Sequence, residues 1–378
     1  MRGRYIAERA TSPDRSSPAY VIVDQTYRFH IEACTYLAHL RAAGRSPNTE
    51  RVYASRLACF LNFCDESRID WQSITFDDLS RFLNSLAGKP VDSTRHGKEN
   101  SRFRSNATAN AIMTATCEFL RFGASHGWVK QELVRSLTRP KYLRHQALGQ
   151  DWGEDEQYRT VSERLLKLPE SGVAIRSIPR DEVQELVHGT TNSRDKFLIV
   201  VLYETGMRIG EALGLRRSDM HFLSSSSRLG CSVAGPHVHV RRRQNSNGAI
   251  AKSRFPRVVP VTSETVYLYA DYQRDRDKVQ NTGETDFVFV NLFRPPLGAP
   301  MKYSNAKKMF DRLSANAEVP ATPHTLRHSA ASRWVDNGTP RDVVQALLGH
   351  VSSTSMEVYL HPSNEAIRAA VERHGGSK

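Results

Sequence analysis

Between Arg139 and Arg176 the hydrophobic periodicity of the preceding residues fades, and a chain with such a break cannot close around one core. The stretch RPKYLRHQALGQDWGEDEQYRTVSERLLKLPESGVAIR mixes both charges with Pro and Gly. It is long for a connection without structure of its own, and one short helix is expected in it near Val161–Leu168. At roughly 100–200 residues per domain, a chain of 378 residues also divides most naturally into two. The pattern differs on the two sides of the break.

Residues 26–138 read as helical. Ser46 followed by Pro47 is an N-cap with proline in the first helical position. Leu57, Phe60, Leu61 and Cys64 then fall at i, i+3, i+4 and i+7, a single buried stripe. Thr75 and Asp78 resemble a capping box, and Leu79, Phe82, Leu83 and Leu86 form the stripe behind it. Another helix, roughly 106–122, carries Ile112, Phe119 and Leu120. The loop before it holds Lys89, Arg95, Lys98, Arg102 and Arg104 between two amphipathic helices, and these are candidate phosphate contacts. Residues 1–25, rich in Ser, Pro and Arg, read as a flexible arm.

The second half is mixed. Pro179 opens a helix, another covers about 194–204, and a short one follows Arg208. Strand patterns appear at His237–Arg243 and Arg257–Val261, joined through the turn-like Asn245–Gly248. Helices resume from about 263, with a short strand expected at Phe287–Val290. The fold class is therefore mainly α with a small antiparallel β-sheet: a helical domain followed by a mixed α+β domain.

Charge narrows the partner. Lys+Arg 53 against Asp+Glu 40 leaves +13, so the summed field attracts polyanions. The N-terminus has no apolar core of a signal peptide, and the longest aliphatic run, Phe197–Tyr203, is far short of the ~20 residues that cross a bilayer. Cys34, Cys59, Cys64, Cys117 and Cys231 are odd in number and lack CxxC spacing. They read as reduced thiols in a cytoplasmic protein, without a zinc site or disulfides. There is no phosphate-binding GxxxxGK[ST] loop and no HExxH, and neither metal nor cofactor is expected.

The segment TPHTLRHSAASRWVDNGTPRDVVQALLGHVSSTSMEVYLHP concentrates chemistry. His324 and Arg327, three apart, share a helix face, and Arg327 offers a planar donor fork to an anion. LLGH ends in His350, and Tyr359 follows nine residues later. Upstream, TGMRIGEALGLRRSD places Arg208 just past a turn at Gly206, and AKSRFPRVVPV places Lys252 at the base of a strand. Taken singly, each of these is ordinary. Together they supply what metal-free attack on a phosphodiester requires. Two guanidinium groups neutralise the non-bridging oxygens, a hydroxyl attacks, and an acid protonates the leaving 5′ oxygen.

In this order and spacing the motifs T-G-x-R-x-x-E, K-x-x-x-x-R-x-V-P, H-x-L-R-H-S, L-L-G-H and V-Y-x-H resemble those of tyrosine recombinases of the phage-integrase superfamily, including Xer-type resolvases and transposon integrases. The match is strongest from Ile178 to His361; SPNTERVYASRLACFLNFC resembles the family's helical, SAM-like core-binding domain. The resemblance implies a flexible arm (1–25), a core-binding domain (26–138), a linker (139–176) and a catalytic domain (177–378). It implies Tyr359 as the nucleophile of a 3′-phosphotyrosyl link, Arg208 and Arg327 as the clamp on the scissile phosphate, and Lys252 as general acid. His324 would assist proton handling, His350 would contact the phosphate, and Glu211 would be structural support.

Phe255 stands where many relatives carry a second lysine, and the polar Ser224–Ser227 is an insertion of no evident purpose. Further DNA contacts are expected from Arg241 and Arg243, with Arg242 between them on a strand whose side chains alternate, and from Lys302, Lys307 and Lys308. The partner implied is double-stranded DNA at core sites alone, since the residues before the first helix are too few for an arm-binding domain. Exchange would need a homotetramer on two sites, assembled from protomers that are monomeric or weakly associated when free. The tail after Tyr359, with Ile367, Ala370 and Val371 on one face, would dock on a neighbouring protomer. The expected setting is cytoplasmic, at the nucleoid, with no membrane. The main reading is integration, excision or transposition of a mobile element. The alternatives are a chromosome or plasmid dimer resolvase, a type IB topoisomerase-like nicking–closing enzyme, or an inactive DNA-binding homologue.

Overall fold

The computed structural model describes residues 4–11, 19–88, 90–91, 102–142, 160–170, 176–251, 255–279, 283 and 285–349. The chain forms two compact units, residues 1–172 and 173–378.

The first unit opens with strands β1 (Ile6–Ala10) and β2 (Ala19–Val23), paired antiparallel with Ile6 opposite Val23. Three main helices follow, α1 (Ile31–Ala42), α2 (Pro47–Glu66) and α3 (Phe76–Gly88). The two-residue strands β3 (Pro90–Val91) and β4 (Arg102–Phe103) lead to α4 (Asn106–Ser125) and the short α5 (Gln131–Ser136). Strands β5 (Thr138–Tyr142) and β6 (Thr160–Arg164) close the unit as an antiparallel pair.

Local chemistry sets the helix starts. Ser46 Oγ accepts the Thr49 N–H at 3.2 Å ahead of Pro47. Thr75 and Asp78 exchange backbone-to-side-chain bonds of 3.0 and 3.2 Å, satisfying N–H groups that a helix start leaves without partners. The stripes at 57–64, 79–86 and 112–120 all turn inward, with Leu57, Phe60, Leu79, Phe119 and Leu120 wholly buried. Removing these faces from water is the main stabilising term.

Two expectations are corrected here. Residues 6–10 and 19–23, expected to be flexible, are a docked hairpin. Ile22 is completely buried, the Tyr20 N–H donates to the buried Glu50 at 2.7 Å, and Asn62 bonds Tyr5 in both directions at 2.7 and 2.9 Å. Glu50 is in turn neutralised by Arg41 at 2.6 Å. The helix expected near Val161–Leu168 is instead strand β6. Residues 160–164 find their partner across the sheet, where Glu163 meets both Arg139 and Lys141. Leu168 then bonds Asn110 through its N–H and its carbonyl at 2.8 and 2.9 Å. A pairing partner distant in sequence outweighs the local helical spacing.

The second unit is built around a helix buried on nearly every side. After α6 (Arg180–His188), α7 (Ser193–Thr205) buries Phe197 through Leu202. The short α8 (Ile209–Ala212) precedes a three-stranded antiparallel sheet of β7 (Met220–His221), β8 (His237–Val240) and β9 (Arg257–Pro260), with β8 in the centre. Helices α9 (Ser263–Asp277), α10 (Tyr303–Asn316), α11 (Pro323–Asp336) and α12 (Arg341–Leu348) complete it. Phe197 packs against Tyr269, Tyr272 and Phe289 with ring centroids 5.4–6.0 Å apart. The strand expected at Phe287–Val290 is reduced to single bridges from Phe287 to Arg216 and from Val290 to Pro300. Among the described residues no helix is long and apolar enough to cross a membrane.

Candidate active site

The site begins where α7 stops. Gly206 adopts the left-handed conformation (φ 59°), and a Cβ there would lie 3.1 Å from Leu348 and 3.3 Å from Ala330. Glycine is needed both for the turn and for the close approach of α11 and α12. The turn delivers Arg208 to the start of α8. Its N–H donates to Glu211 Oε2 at 2.9 Å, and its guanidinium Nη1 lies 3.1 Å from Oε1.

Glu211 is buried and braced from a second direction. Arg257, on β9, places Nη2 2.6 Å from Oε2 and Nη1 3.3 Å from Oε1, while its Nε donates to the Leu347 carbonyl at 2.9 Å. Burial alone pushes the Glu211 carboxyl up. The hydrogen bond and charge of Arg257, followed by the amide and charge of Arg208, outweigh burial and hold the group below its ordinary value. Glu211 is thus an anion at neutral pH that fixes two arginines by charge-assisted bonds.

Arg327 arrives on α11 and is 3% exposed. Its Nη1 donates to the Gly206 carbonyl at 2.6 Å and its Nη2 to the Leu348 carbonyl at 2.8 Å. The turn that carries Arg208 and the helix end gripped by Arg257 therefore also hold Arg327. Gly349 (φ 64°) completes the closure, since a Cβ there would come within 2.7 Å of Arg257 Nη1. The α7–α8 turn, β9, α11 and the end of α12 converge on one place.

His324 lies in the first turn of α11, which starts at a Thr322 cap that accepts the Thr325 N–H at 3.1 Å. Its Nε2 is 2.7 Å from His328 Nε2, one helical turn on. Burial, then the neighbouring His324 and Arg327, pushes His328 down to about 4, so it is neutral at physiological pH. A neutral imidazole in contact with His324 orients that ring.

Of the residues expected to carry chemistry, Arg208 and Arg327 meet at the Gly206 turn, His324 lies three residues before Arg327 on α11, and Glu211 holds Arg208. Lys252, His350 and Tyr359 lie outside the described residues, as do Lys89, Arg95 and Lys98 and the side chain of Arg102. Arg104 is half-buried. The strand expected to reach Arg243 ends at Val240, so the alternation assumed for Arg241–Arg243 does not apply. Arg243 instead makes a two-pronged pair of 2.6 and 2.7 Å with Asp219, which is wholly buried, and Arg241 lies 3.8 Å from the same carboxylate. Lys302 is exposed at the start of α10, and Lys307 pairs with Asp311 at 2.6 Å. Phe255 is 68% exposed.

Two residues without an expected role are part of the site, Arg257 and His328. Both stand inside the quoted motifs, which was the available signal. Their roles depend on a backbone carbonyl and a ring-to-ring contact that residue type does not announce. In the first unit, a groove of about 1210 Å³ is lined by Arg121, Arg139, Lys141, Arg164 and Lys167, none of them singled out from the sequence.

Comparison with known proteins gives a consistent picture. Residues 176–366, just over half of the chain, match the family described as "Phage integrase family", and residues 34–123 match "Phage integrase, N-terminal SAM-like domain". The chain is 25% identical over 367 residues to transposase A from transposon Tn554 of Staphylococcus aureus, covering 96% of this chain and 95% of that protein. It is 24% identical to the tyrosine recombinase XerD of Corynebacterium glutamicum, covering 89% and 95%. In fold it resembles the Tn1549 transposon integrase solved with circular intermediate DNA (TM-score 0.60, 17% identity, 90% of this chain and 99% of that one). It also resembles the XerH site-specific recombinase bound to a palindromic difH substrate (TM-score 0.57, 17% identity, 90% and 84%).

Proposed function

This chain belongs to the phage integrase family, and from that membership we propose how its own residues cleave and rejoin DNA to move a mobile element between sites. It is a tyrosine recombinase and acts on double-stranded DNA. The convergence of Arg208 and Arg327 at one turn, with His324 on the same helix face as Arg327, is the observation that supports this assignment of roles.

The scissile phosphate sits against the Arg208 and Arg327 guanidinium groups, which neutralise charge growing on its non-bridging oxygens. Tyr359 Oη attacks phosphorus as its proton is taken up with the help of His324. The bond from phosphorus to the 5′ oxygen breaks, and Lys252 gives that oxygen a proton. A 3′-phosphotyrosyl link now holds the bond energy. The 5′-hydroxyl of another strand attacks the link, expels Tyr359 and reseals the backbone. His350 adds a contact to the phosphate. Each protomer supplies one tyrosine, so exchanging two strand pairs on two sites takes four protomers, with the tail from Ile367 to Val371 docking on a neighbour. The helical first unit supplies the second half of the grip on DNA, and the setting is the cytoplasm at the nucleoid. The 25% identity to the Tn554 transposase, extending along 96% of the chain, favours the mobile-element role over a resolvase role.

A nicked substrate containing the element's end tests the reading. The expected product is a protein–DNA adduct that survives SDS and is lost in Tyr359→Phe. An adduct that persists in that variant sinks the mechanism. Adducts that never join two sites would show a nicking–closing enzyme.

A further inference from the structure

Away from the arginine site, one face of the three-stranded sheet gathers four metal-binding side chains. His221 on β7 stands directly opposite His237 on β8, and His239 lies two residues further along the same strand. Side chains two apart on a strand share a face, and directly opposed residues meet across it. The ring centroids of the three imidazoles lie 4.5–5.0 Å from one another. The connection between β7 and β8 folds back through a turn at residues 227–229 and the left-handed Gly230 (φ 72°), which brings Cys231 onto the group. One ligand atom from each of the four residues lies within 4.8 Å of the others. Sequence spacing alone gave Cys231 no such role, because its partners are assembled by strand register.

The three distances among Cys231, His237 and His239 suit a tetrahedral ion, and His221 lies within 4.8 Å as the fourth ligand. Zinc bonds of about 2.0–2.1 Å to nitrogen and about 2.3 Å to sulfur imply edges of roughly 3.3 Å between two nitrogens and roughly 3.5 Å between sulfur and nitrogen. His237 Nε2 and His239 Nε2 are 3.2 Å apart, and Cys231 Sγ lies 3.3 and 3.5 Å from them. Orientation agrees. His237 Nδ1 is 2.7 Å from the Gly235 carbonyl, which can only accept, so the proton is on Nδ1 and the Nε2 lone pair faces the cluster. A backbone carbonyl orienting a histidine in this way is the usual outer support of a metal ligand. His237 is wholly buried, and the buried His221 Nδ1 has no hydrogen-bond partner among the described residues. An open cleft of about 960 Å³, lined in part by His221, Cys231 and His239, gives an ion access.

We propose that His221, Cys231, His237 and His239 bind one zinc ion, which pins the 222–236 connection to the sheet. Four protein ligands leave no open position, so the site is structural. Three imidazoles and one thiolate in tetrahedral array select zinc over magnesium or calcium. The Ser224–Ser227 insertion acquires a purpose, since it supplies the chain length that returns Cys231 to the histidines.

The test uses the full-length protein, stripped with a chelator and titrated with Zn²⁺ and, as a spectroscopic probe, with Co²⁺. One equivalent of zinc per chain is expected. Co²⁺ should give the intense visible bands of a tetrahedral site and a near-ultraviolet thiolate band, which Cys231→Ser removes and Cys34→Ser leaves intact. His239→Ala removes a ligand and should weaken zinc binding by more than the roughly 10–100-fold that loss of a ligand's outer support costs. In the wild-type protein, zinc should protect Cys231 from alkylation, read by peptide mass spectrometry, so the result does not depend on any variant folding. No stoichiometric binding, a thiolate band that survives Cys231→Ser, or Cys231 labelling unchanged by zinc would each overturn the proposal.

Discussion

Replacing Glu211 by Gln removes one charge from the centre of the site at almost constant shape. Oε2 accepts the two shorter bonds, from Arg257 Nη2 at 2.6 Å and the Arg208 amide at 2.9 Å. A glutamine retains these if its oxygen takes that position. Its NH₂ then occupies the place of Oε1 and faces Arg208 Nη1 and Arg257 Nη1, donor against donor, where 3.1 and 3.3 Å bonds existed. The Arg208 amide bond becomes neutral, the Arg257 bond keeps only the arginine's charge, and two bonds are lost. Breaking a buried pair outright costs about 3–5 kcal/mol. With the shape and half of the acceptors retained, Glu211→Gln should cost about 2–3 kcal/mol.

Urea unfolding of the full chain at pH 7 measures this, with hydrogen exchange assigning the loss to residues 176–349. The pH dependence gives the sign. A carboxylate held below its ordinary value of 4.5 contributes stability that is present above that pH and lost as pH falls through its lower, folded value. The gap between wild type and variant should therefore be full at pH 7 and shrink below about 4.5. Because Glu211 positions Arg208 without touching DNA, the variant should form the phosphotyrosyl adduct more slowly with DNA affinity little changed. A difference under about 1 kcal/mol at pH 7 would refute the bracing argument, as would a gap that widens in acid.

Three further outcomes follow from the packing. His328 lies below its free value, so wild-type stability should fall as pH drops from about 6.5 toward about 4, and fall less steeply in His328→Gln when melting temperature is followed across that range. Gly349→Ala places a methyl 2.7 Å from Arg257 Nη1 in a left-handed backbone, so about 1–3 kcal/mol of stability and much of the adduct rate should be lost, as chemical denaturation and adduct kinetics will read. Asn110→Ala removes the bonds to both backbone groups of Leu168, and faster hydrogen exchange at residues 165–170 should accompany a loss of roughly 2 kcal/mol.

The parts of the molecule legible in the sequence are those whose signal is local. Leu57, Phe60, Leu61 and Cys64 announce a buried face because their spacing matches one helix turn after another. The caps at Ser46 and Thr75 act within three residues, so residue type suffices. Structure that depends on a distant partner is hidden. Val161–Leu168 reads as a short helix, yet Thr160–Arg164 ladders with Thr138–Tyr142, and Ile6–Ala10 pairs with Ala19–Val23 in a hairpin docked on α2. The active site divides in the same way. Arg208, His324 and Arg327 are visible in motifs, whereas the grip of Arg257 on the Leu347 carbonyl belongs to chain geometry. The His221–His239 cluster needs strand register to exist at all.

The basic charge of the chain is the clearest case of a global signal that misleads in detail. A net +13 draws the protein to DNA, but charge counts equally for solvated cations and for those built into the interior. Arg276 is wholly buried and donates to the Thr285 and Phe287 carbonyls. Arg257 serves Glu211, and Arg243 serves Asp219. Buried as they are, Arg276 and Arg257 cannot exchange condensed counterions for phosphates, and the pair with Asp219 occupies the partly exposed Arg243 guanidinium. The salt dependence of DNA affinity counts only cations that meet phosphate, with a slope of about −0.9 per contact on duplex DNA. Arg243→Gln should therefore leave that slope unchanged while lowering stability, because it removes the two-pronged partner of the buried Asp219. A slope that falls by about one unit in that variant would instead make Arg243 a phosphate contact.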